Sequence, residues 1–316
     1  MKQELWTSGN CVSMTEILDA RENRVKTQHE MLQKTPACLL SFTLNIPGPV
    51  KVFPYTKQAY EVGISIILRG ISLLDGIILE QQETKNDTGW EAFFSLNLPP
   101  EDIKTYLLIQ EEQHPLGRIF DFDVLRTDGS KLSRQELGFP ERTCLLCDKA
   151  AFLCGRSRTH SAKELLTKEI EIMENFFVFR LSNHVGLLMQ KALFYEVNTS
   201  LKPGLVDRLH TGSHQDMNLS TFINSAYSLT DFFCQCTKEG LSFNYSKEKL
   251  PLLFQRLRDL GKQAEKTMFF ATKGVNTHKG IIFSGGILCG AIGYHISNKN
   301  MDFSSEDFLS SLSEIC

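Results

Sequence analysis

The first half of the chain alternates between two hydrophobic periods. Short runs rich in β-branched and aromatic residues, bounded by Pro, Gly or polar residues, predict strands at 39–46, 77–80, 90–98 and 119–125. Helical periods lie at 13–34 (one or two amphipathic helices), 56–73 and 102–112. Residues 127–130 have the composition of a hairpin turn. Together these patterns predict an α+β domain with a mixed, largely antiparallel sheet.

The pattern changes after His160. Residues 162–197 form nearly continuous helix-forming sequence without proline, and strand patterns almost vanish beyond them. We therefore predict an all-α second domain and place the boundary inside a helical connection near 165–182. We assign residues 1–170 to the first domain and 171–316 to the second.

Composition narrows the class of protein. With 42% hydrophobic and 22% charged residues, the chain has the make-up of a soluble globular protein. A net charge of -3 does not by itself indicate a nucleic-acid or membrane partner, and we expect neither. Nine cysteines, an odd number, without a signal-peptide pattern or a run of about 18 apolar residues, predict reduced thiols in the cytoplasm.

Positive charge is concentrated between Lys131 and Lys163. This segment has seven Lys and Arg against three acidic residues, a difference of 7 − 3 = 4. Such an excess suits a polyanionic ligand, and the alternative is a solvated basic loop.

Asp121 and Asp123 flank Phe122 in the predicted strand 119–125. On a strand, residues i and i+2 point to the same face, so both carboxylates should project together while Phe122 enters the core. Two carboxylates at this spacing can share Mg²⁺, which neutralises a polyphosphate and its departing pyrophosphate in nucleotidyl transfer. The alternative is a solvated strand face.

A shaped loop precedes this strand. Pro115 and Gly117 flank one apolar residue, and the guanidinium of Arg118 can fork onto phosphate oxygens. His114 could serve as a phosphate donor or a base, or it could be an ordinary loop histidine.

Three cysteines and a histidine follow the strand. The order Cys144, Cys147, Cys154 and His160 could form a tetrahedral zinc site. The alternative is a set of buried reduced cysteines.

Ordered motifs across residues 12–165 resemble one family. The motifs are Ser41-Phe42-Thr43, Pro47-Gly48-Pro49 with Lys51, His114 to Val124, Ser133-Arg134, Pro140 to Cys147, and Cys154 to His160. They resemble the citrate lyase holo-acyl-carrier-protein synthases, which are nucleotidyltransferases.

The resemblance implies a specific reaction. Triphosphoribosyl-dephospho-CoA is the donor, a serine of the acyl-carrier (gamma) subunit of citrate lyase is the acceptor, and pyrophosphate leaves. Asp121 and Asp123 match the metal-binding alternation, with Mg²⁺ expected, and His114 is a further catalytic candidate. Candidates for the phosphate chain are Lys51, Arg118, Arg134, Arg156 and Arg158.

Motifs in the second half resemble the triphosphoribosyl-dephospho-CoA synthases. The motifs are Tyr195-Glu196-Val197, Lys202 to Arg208, Gly212 to Met217, and Gly274 to Gly280 before an apolar helical stretch. The resemblance implies that ATP and dephospho-CoA are joined with release of adenine, so this would be a multifunctional enzyme that makes its own donor. Candidate site residues are Asp207, His214, Asp216, His278 and Lys279, with Glu196 and Glu265 behind them. Glu265 could instead be a plain helix-surface charge.

The second resemblance covers only residues 184–300, about the front half of that family's usual length. Ser304 to Asp307 has the pattern of a helix N-cap and first turn, after which the chain soon stops. We therefore expect an incomplete second domain whose activity is impaired.

Three other functions remain open. The first domain could be a zinc-stabilised docking module for the citrate lyase complex, without chemistry of its own. The protein could instead be led by the synthase, or its transferase could load another carrier. The motifs favour citrate lyase over malonate decarboxylase as the complex that is served.

Overall fold

The structure of the protein is a computed structural model that describes residues 7–243 and 249–299. They fall into two compact units that divide between Phe176 and Phe177, and each unit is described by itself. Met1–Trp6 and the Ser304–Asp307 segment, where a further helix was predicted, lie outside the described residues.

The first unit is built on a four-stranded antiparallel sheet. Its strands are β1 (Cys38–Leu44), β2 (Ile78–Asn86), β3 (Gly89–Leu96) and β4 (Phe120–Leu125), in the order β2-β3-β1-β4. The predicted antiparallel sheet is confirmed. Strand β2 is longer than the predicted run at 77–80. The second half of the strand is polar, so its hydrophobic pattern does not indicate a strand. Charged side chains on an edge strand such as β2 discourage pairing with another chain.

The first unit also contains helices. They are α1 (Met14–Lys34), α2 (Pro54–Leu73), α3 (Pro100–Gln113) and α4 (Ala151–Ser157), followed by α5 (Ala162–Asn198), which continues into the second unit. The region predicted as one or two helices forms the single helix α1, whose N-cap Ser13 makes a capping box with Glu16. In that box each side chain binds the other residue's backbone N–H, at 3.2 and 2.7 Å.

The two faces of the sheet differ in polarity. Phe42 on β1 stacks with Tyr60 of α2 and with Phe122 of β4, at ring-centroid distances of 5.3 and 4.9 Å. The next residues along β1, Ser41 and Thr43, point to the opposite face because side chains alternate along a strand.

Helix α1 covers part of this second face. Met31 and Leu32 of α1 form a small apolar cluster there with Leu39, Phe93 and Leu125. The second face is therefore apolar beneath the end of α1 and polar beside Ser41 and Thr43.

The second unit is all-α, as predicted. The end of α5 joins α6 (Leu219–Ser228), α7 (Thr230–Ser242), α8 (Leu250–Ala271) and α9 (Lys279–Lys299) around a common apolar core. Helices α7 and α9 approach closely at glycines. A Cβ atom on Gly240 would lie 2.0 Å from the carbonyl oxygen of Gly290, so only glycine fits there.

Among the described residues, α9 alone is long and apolar enough to cross a membrane by length and composition. The stretch Lys279–Ser297 has a mean hydropathy of 1.4, and 67% of it is buried inside the protein. A helix buried in a protein core meets the same criterion, so the observation is weak evidence for a membrane span.

We expect Gly63→Ala to lower the stability of the first unit by about 1–3 kcal/mol. A Cβ atom at Gly63 would lie 2.1 Å from the ring of Phe42, which is fully buried. Ser65→Ala, on the exposed side of the same helix, is the control and should have little effect. Urea unfolding followed by tryptophan fluorescence measures both, and equal midpoints for the two variants would contradict the expectation.

Candidate active site

The candidate site begins with the pairing of β4 and β1. Asp121 lies opposite Thr43, and Asp123 lies opposite Ser41. Phe122 between the two acids is fully buried. Both carboxylates therefore project toward the polar part of the sheet face that α1 covers.

The two carboxylates have different surroundings. An oxygen of Asp123 lies 2.6 Å from the ammonium of Lys131. The pKa of Asp121 is raised, first by burial and then by the negative charge of Asp123, while Lys131 and Arg142 oppose the rise. Asp121 is thus a partly desolvated carboxylate that a cation would stabilise.

Two charged side chains, Lys104 and Arg142, hold the backbone of β4. The ammonium of Lys104, on α3, donates to the Phe122 carbonyl at 2.6 Å. Arg142 donates to the Phe120 carbonyl at 2.9 Å and pairs with the buried Glu111 at 2.6 Å. These contacts fix the strand that carries both aspartates.

The sequence motifs do not single out Lys104 and Glu111. With Leu108 they occupy positions i, i+4 and i+7 of α3, and all three residues are buried. A charged residue at a position where the helical period expects an apolar one is the signal that could have identified them.

A cleft opens beside Asp121 and encloses about 780 Å³ of space, part of it open to solvent. Its lining has an excess of cations, with Arg21, Arg24, Lys51 and Lys57 against Glu91 and Asp121. Arg24 is ion-paired with Glu91, and Lys51 donates to the Ile46 carbonyl. Arginine and lysine side chains around a concave surface form a site suited to phosphate groups.

The sequence motifs indicate Lys51 but not the two arginines. Arg21 and Arg24 look like ordinary charges of an amphipathic helix. They reach the cleft because α1 lies over the polar half of the sheet.

Glu169, on α5, is the other group that the sequence did not reveal. It is 3% exposed, and burial raises its pKa to about 8, although Lys51 and Arg118 oppose the rise. One of its carboxylate oxygens has no hydrogen-bond partner among the described residues. At neutral pH this carboxyl therefore retains its proton in most of the molecules.

The other predicted residues of the first unit do not line the cleft. His114 accepts a hydrogen bond from the Leu116 amide at 3.1 Å, and its ring packs against Phe120 and Phe176. Arg118 donates to the Thr143 carbonyl. Their proposed roles stay predictions.

The remaining arginines lie farther out. Arg134 pairs with Glu112 at 2.9 Å. Arg156 and Arg158 are exposed at the end of α4, where Arg158 adopts a left-handed conformation with φ of 48°. Their assignment to a phosphate chain also stays a prediction.

The predicted zinc ligands are close together. The Sγ atoms of Cys144, Cys147 and Cys154 and a ring nitrogen of His160 all lie within 4.8 Å of one another.

In the second unit, Asp207 is 3% exposed and accepts three backbone hydrogen bonds. The donors are the amides of Leu209, His210 and Lys202, at 2.7, 2.8 and 3.1 Å. These bonds lower the pKa of Asp207, so the carboxylate stabilises its loop as an acceptor and is a weak base.

His278 is buried at the start of α9. Its Nδ1 lies 2.7 Å from the hydroxyl oxygen of Ser225, which also accepts a hydrogen bond from Thr277. Burial lowers the pKa of His278 to about 4, so the ring is neutral at pH 7. Lys279 lies 3.6 Å from Glu265.

His214 and Asp216 lie in the loop before α6, where Asp216 is exposed. Glu196 pairs with Lys202 at 2.7 Å. The catalytic roles of these second-unit residues stay predictions.

The fold and the site define a class of protein. An antiparallel sheet with paired aspartates beside a cation-rich cleft is suited to transfer of a phosphate-bearing group, and an all-α unit follows it.

Comparison with known proteins makes the assignment specific. Residues 12–176 match the family of apo-citrate lyase phosphoribosyl-dephospho-CoA transferases, and the chain belongs to this family. The transferase of that name from Escherichia coli is 37% identical over 164 residues, which cover 52% of this chain and 89% of the relative. The family resemblance drawn from the motifs is confirmed.

The second half has its own match. Residues 182–315 match the family described as ATP:dephospho-CoA triphosphoribosyl transferase. Protein CitXG of Haemophilus influenzae is 35% identical over 302 residues, and protein CitXG of Leuconostoc mesenteroides subsp. cremoris is 35% identical over 299 residues. The alignments cover 96% and 92% of this chain but 64% and 63% of the relatives, so the chain spans less than two thirds of their length.

The raised pKa of Glu169 predicts how the stability of the first unit depends on pH. The unfolded chain loses this proton near 4.5 and the folded protein near 8. The folded state therefore binds more protons in that window, and the free energy of unfolding should fall as the pH rises through it, by up to about 1.4 kcal/mol per pH unit.

Glu169→Gln should remove this fall, because the amide resembles the protonated acid. Glu171→Gln, an exposed change on the same helix, is the control and should retain the fall. Urea unfolding at several pH values between about 5 and about 8 measures the effect. If the free energy of unfolding depended on pH in the same way for wild type and Glu169→Gln, the pKa of the Glu169 carboxyl would not be raised.

Proposed function

We propose that the first unit transfers phosphoribosyl-dephospho-CoA from triphosphoribosyl-dephospho-CoA to a serine of the citrate lyase acyl-carrier subunit. The observation that carries this proposal is the position of Asp121. Its carboxylate lies beside Asp123 on β4 and also lines the cation-rich cleft. A polyphosphate bound in the cleft would lie next to this aspartate pair.

The reaction balances as a substitution at phosphorus. The serine oxygen forms a bond to the phosphorus attached to the ribose, the bond to the pyrophosphate oxygen breaks, and the serine proton is released. Pyrophosphate leaves with the electron pair of the broken bond. Its negative charge must be stabilised by cations in fixed positions. The Lys and Arg side chains of the cleft lining provide some of these positive charges.

We propose that Asp121 and Asp123 hold Mg²⁺. The residues fit the ion because their oxygens are hard ligands on one strand face, and because Asp121 is destabilised by burial and by its neighbour's charge. When bound, Mg²⁺ would neutralise phosphate charge and polarise the phosphoryl oxygens. The role of the protein is to hold both carboxylates in register on β4.

The cations of the cleft orient the donor. Arg21 and Arg24 come from α1 and Lys51 from the loop after β1. Because Arg24 is paired with Glu91, Arg21 and Lys51 are the stronger candidates for direct phosphate contacts.

We propose that the second unit is related to the synthesis of the donor from ATP and dephospho-CoA, with release of adenine. The match of residues 182–315 supports this proposal. The product of that reaction is the substrate of the first unit, and both reactions would take place in the cytoplasm.

Asp121→Asn should lower the rate of carrier loading by at least about 100-fold, because the amide binds Mg²⁺ poorly. The matched control is Asp128→Asn in the hairpin turn after β4. An asparagine there can keep the hydrogen bond to the Ser130 amide. The measurement is the mass of the apo acyl-carrier subunit after incubation with donor, Mg²⁺ and each variant.

Two further arms complete this experiment. Unmodified carrier with folded wild-type protein would reject the transferase proposal and favour a docking role in the citrate lyase complex. Replacing the donor by ATP and dephospho-CoA tests the second unit, since loading then requires donor synthesis and adenine release.

Arg21→Met should weaken donor binding about tenfold, the effect of losing roughly 1.5 kcal/mol from one charge-assisted hydrogen bond. The control is Lys26→Met on the same helix, because Lys26 is exposed and its ammonium lies 3.9 Å from the carboxylate of Glu30. Isothermal titration calorimetry with the donor measures both dissociation constants. Equal affinities for the two variants would exclude Arg21 from the binding site.

A further inference from the structure

Three thiols and one imidazole converge in the segment that follows β4. Cys147 Sγ lies 3.5 Å from Cys154 Sγ and 3.4 Å from His160 Nε2, and all four ligand atoms, including Cys144 Sγ, lie within 4.8 Å of one another. In a tetrahedral zinc site, the usual Zn–S and Zn–N lengths place two sulfurs about 3.8 Å apart and a sulfur and a nitrogen about 3.5 Å apart. The cluster thus has nearly the dimensions of a zinc site.

The backbone is folded around the first two cysteines. Thr143 and Ala150 form an isolated antiparallel bridge, and the Cys144 amide donates to the Lys149 carbonyl at 2.6 Å. Within this tight hairpin, the Leu146 amide donates to Cys144 Sγ at 3.5 Å. An amide hydrogen bond to sulfur favours the thiolate, which is the form that binds metal.

Short-range structure also positions the other two ligands. Cys154 is buried in α4, which starts directly after the hairpin. The chain then turns at Arg158, and the Thr159 amide donates to the Cys154 carbonyl at 3.2 Å. This turn brings His160 back to Cys147.

The segment has almost no core of its own. Between Arg126 and Ser161, Leu132 and Cys154 are the buried residues. Three large apolar side chains of the segment are exposed instead, namely Leu146, Phe152 and Leu153. Hydrophobic burial therefore cannot hold these residues together, and short segments of this kind are usually stabilised by a metal or a disulfide.

We propose that Cys144, Cys147, Cys154 and His160 bind one structural zinc ion. The four protein ligands complete a tetrahedron and leave no position for substrate, so the ion acts on folding and not on chemistry. A Cys147–Cys154 disulfide would use two of the four groups and leave the convergence of Cys144 and His160 without a reason. This inference does not depend on the proposed transferase activity.

The zinc site would also order part of the candidate active site. The chain next to Cys144 provides Arg142, which pairs with Glu111, and the Thr143 carbonyl, which accepts from Arg118. A metal that fixes Cys144 therefore fixes the residues that hold β4 from this side.

Elemental analysis of the full chain, purified under reducing conditions from zinc-supplemented cells, tests the proposal. We expect one equivalent of zinc in the wild type and at least a tenfold lower content in Cys147→Ser. The control is Cys234→Ser, a half-buried cysteine of α7, which should keep the full equivalent. Wild-type protein without zinc would overturn the proposal, and this result does not require any variant to fold.

Two measurements identify the ligand set. Cobalt(II) added to chelator-treated wild type should give the intense visible bands of a tetrahedral site with sulfur ligands, and stoichiometric zinc should abolish them. The intact mass under denaturing, non-reducing conditions reports oxidation. A mass lower by two hydrogens, combined with absent cobalt bands, would assign the cluster to a disulfide and reject the zinc site.

Discussion

Carboxylates that are partly withdrawn from water need compensating charges, and the first unit is arranged around this requirement. Glu111 is buried and pairs with Arg142, while Glu91 is buried and pairs with Arg24. Each ion pair joins two segments that are far apart in the chain. Burial and the negative charge of Asp123 raise the pKa of Asp121, and the nearby cations Lys131 and Arg142 do not fully offset this rise. A bound cation would complete the pattern.

The position of β4 follows from contacts on several sides. Its neighbour β1 sets the register, and Phe120 and Phe122 anchor one face in the aromatic cluster. Lys104 and Arg142 bind carbonyls of the same strand. These contacts hold the strand through its backbone and its apolar side chains, so the position of Asp121 and Asp123 does not depend on their own carboxylates.

Local patterns explain what the sequence could predict. The strands, the helices and the convergence of the four zinc-ligand candidates depend on residues close together in the chain, where periodicity and turn chemistry are informative. The placement of Asp121 and Asp123 on one sheet face could be predicted for the same reason, because it follows from the two-residue repeat of a strand.

The contacts that shape the cleft depend on tertiary packing. Arg21 lies about 100 positions before Asp121, and Glu169 lies on a long helix whose buried side has no clear apolar stripe. Their placement depends on how α1 and α5 pack in the first unit, and helical periodicity does not contain that information. For the same reason, Arg156 and Arg158 look equivalent to Lys51 in the sequence, although Lys51 alone of the three lines the cleft.

Charge balance links the cleft to the aspartate pair. Four cations and two acids give the lining an excess of 4 − 2 = 2 positive charges, which is less than the negative charge of a polyphosphate chain. A divalent cation on Asp121 and Asp123 would add the missing charge at the edge of the cleft. The same ion would compete with Lys131 for Asp123, because the ammonium now contacts that carboxylate at 2.6 Å. Donor and metal would therefore bind cooperatively, since each supplies charge that the other needs.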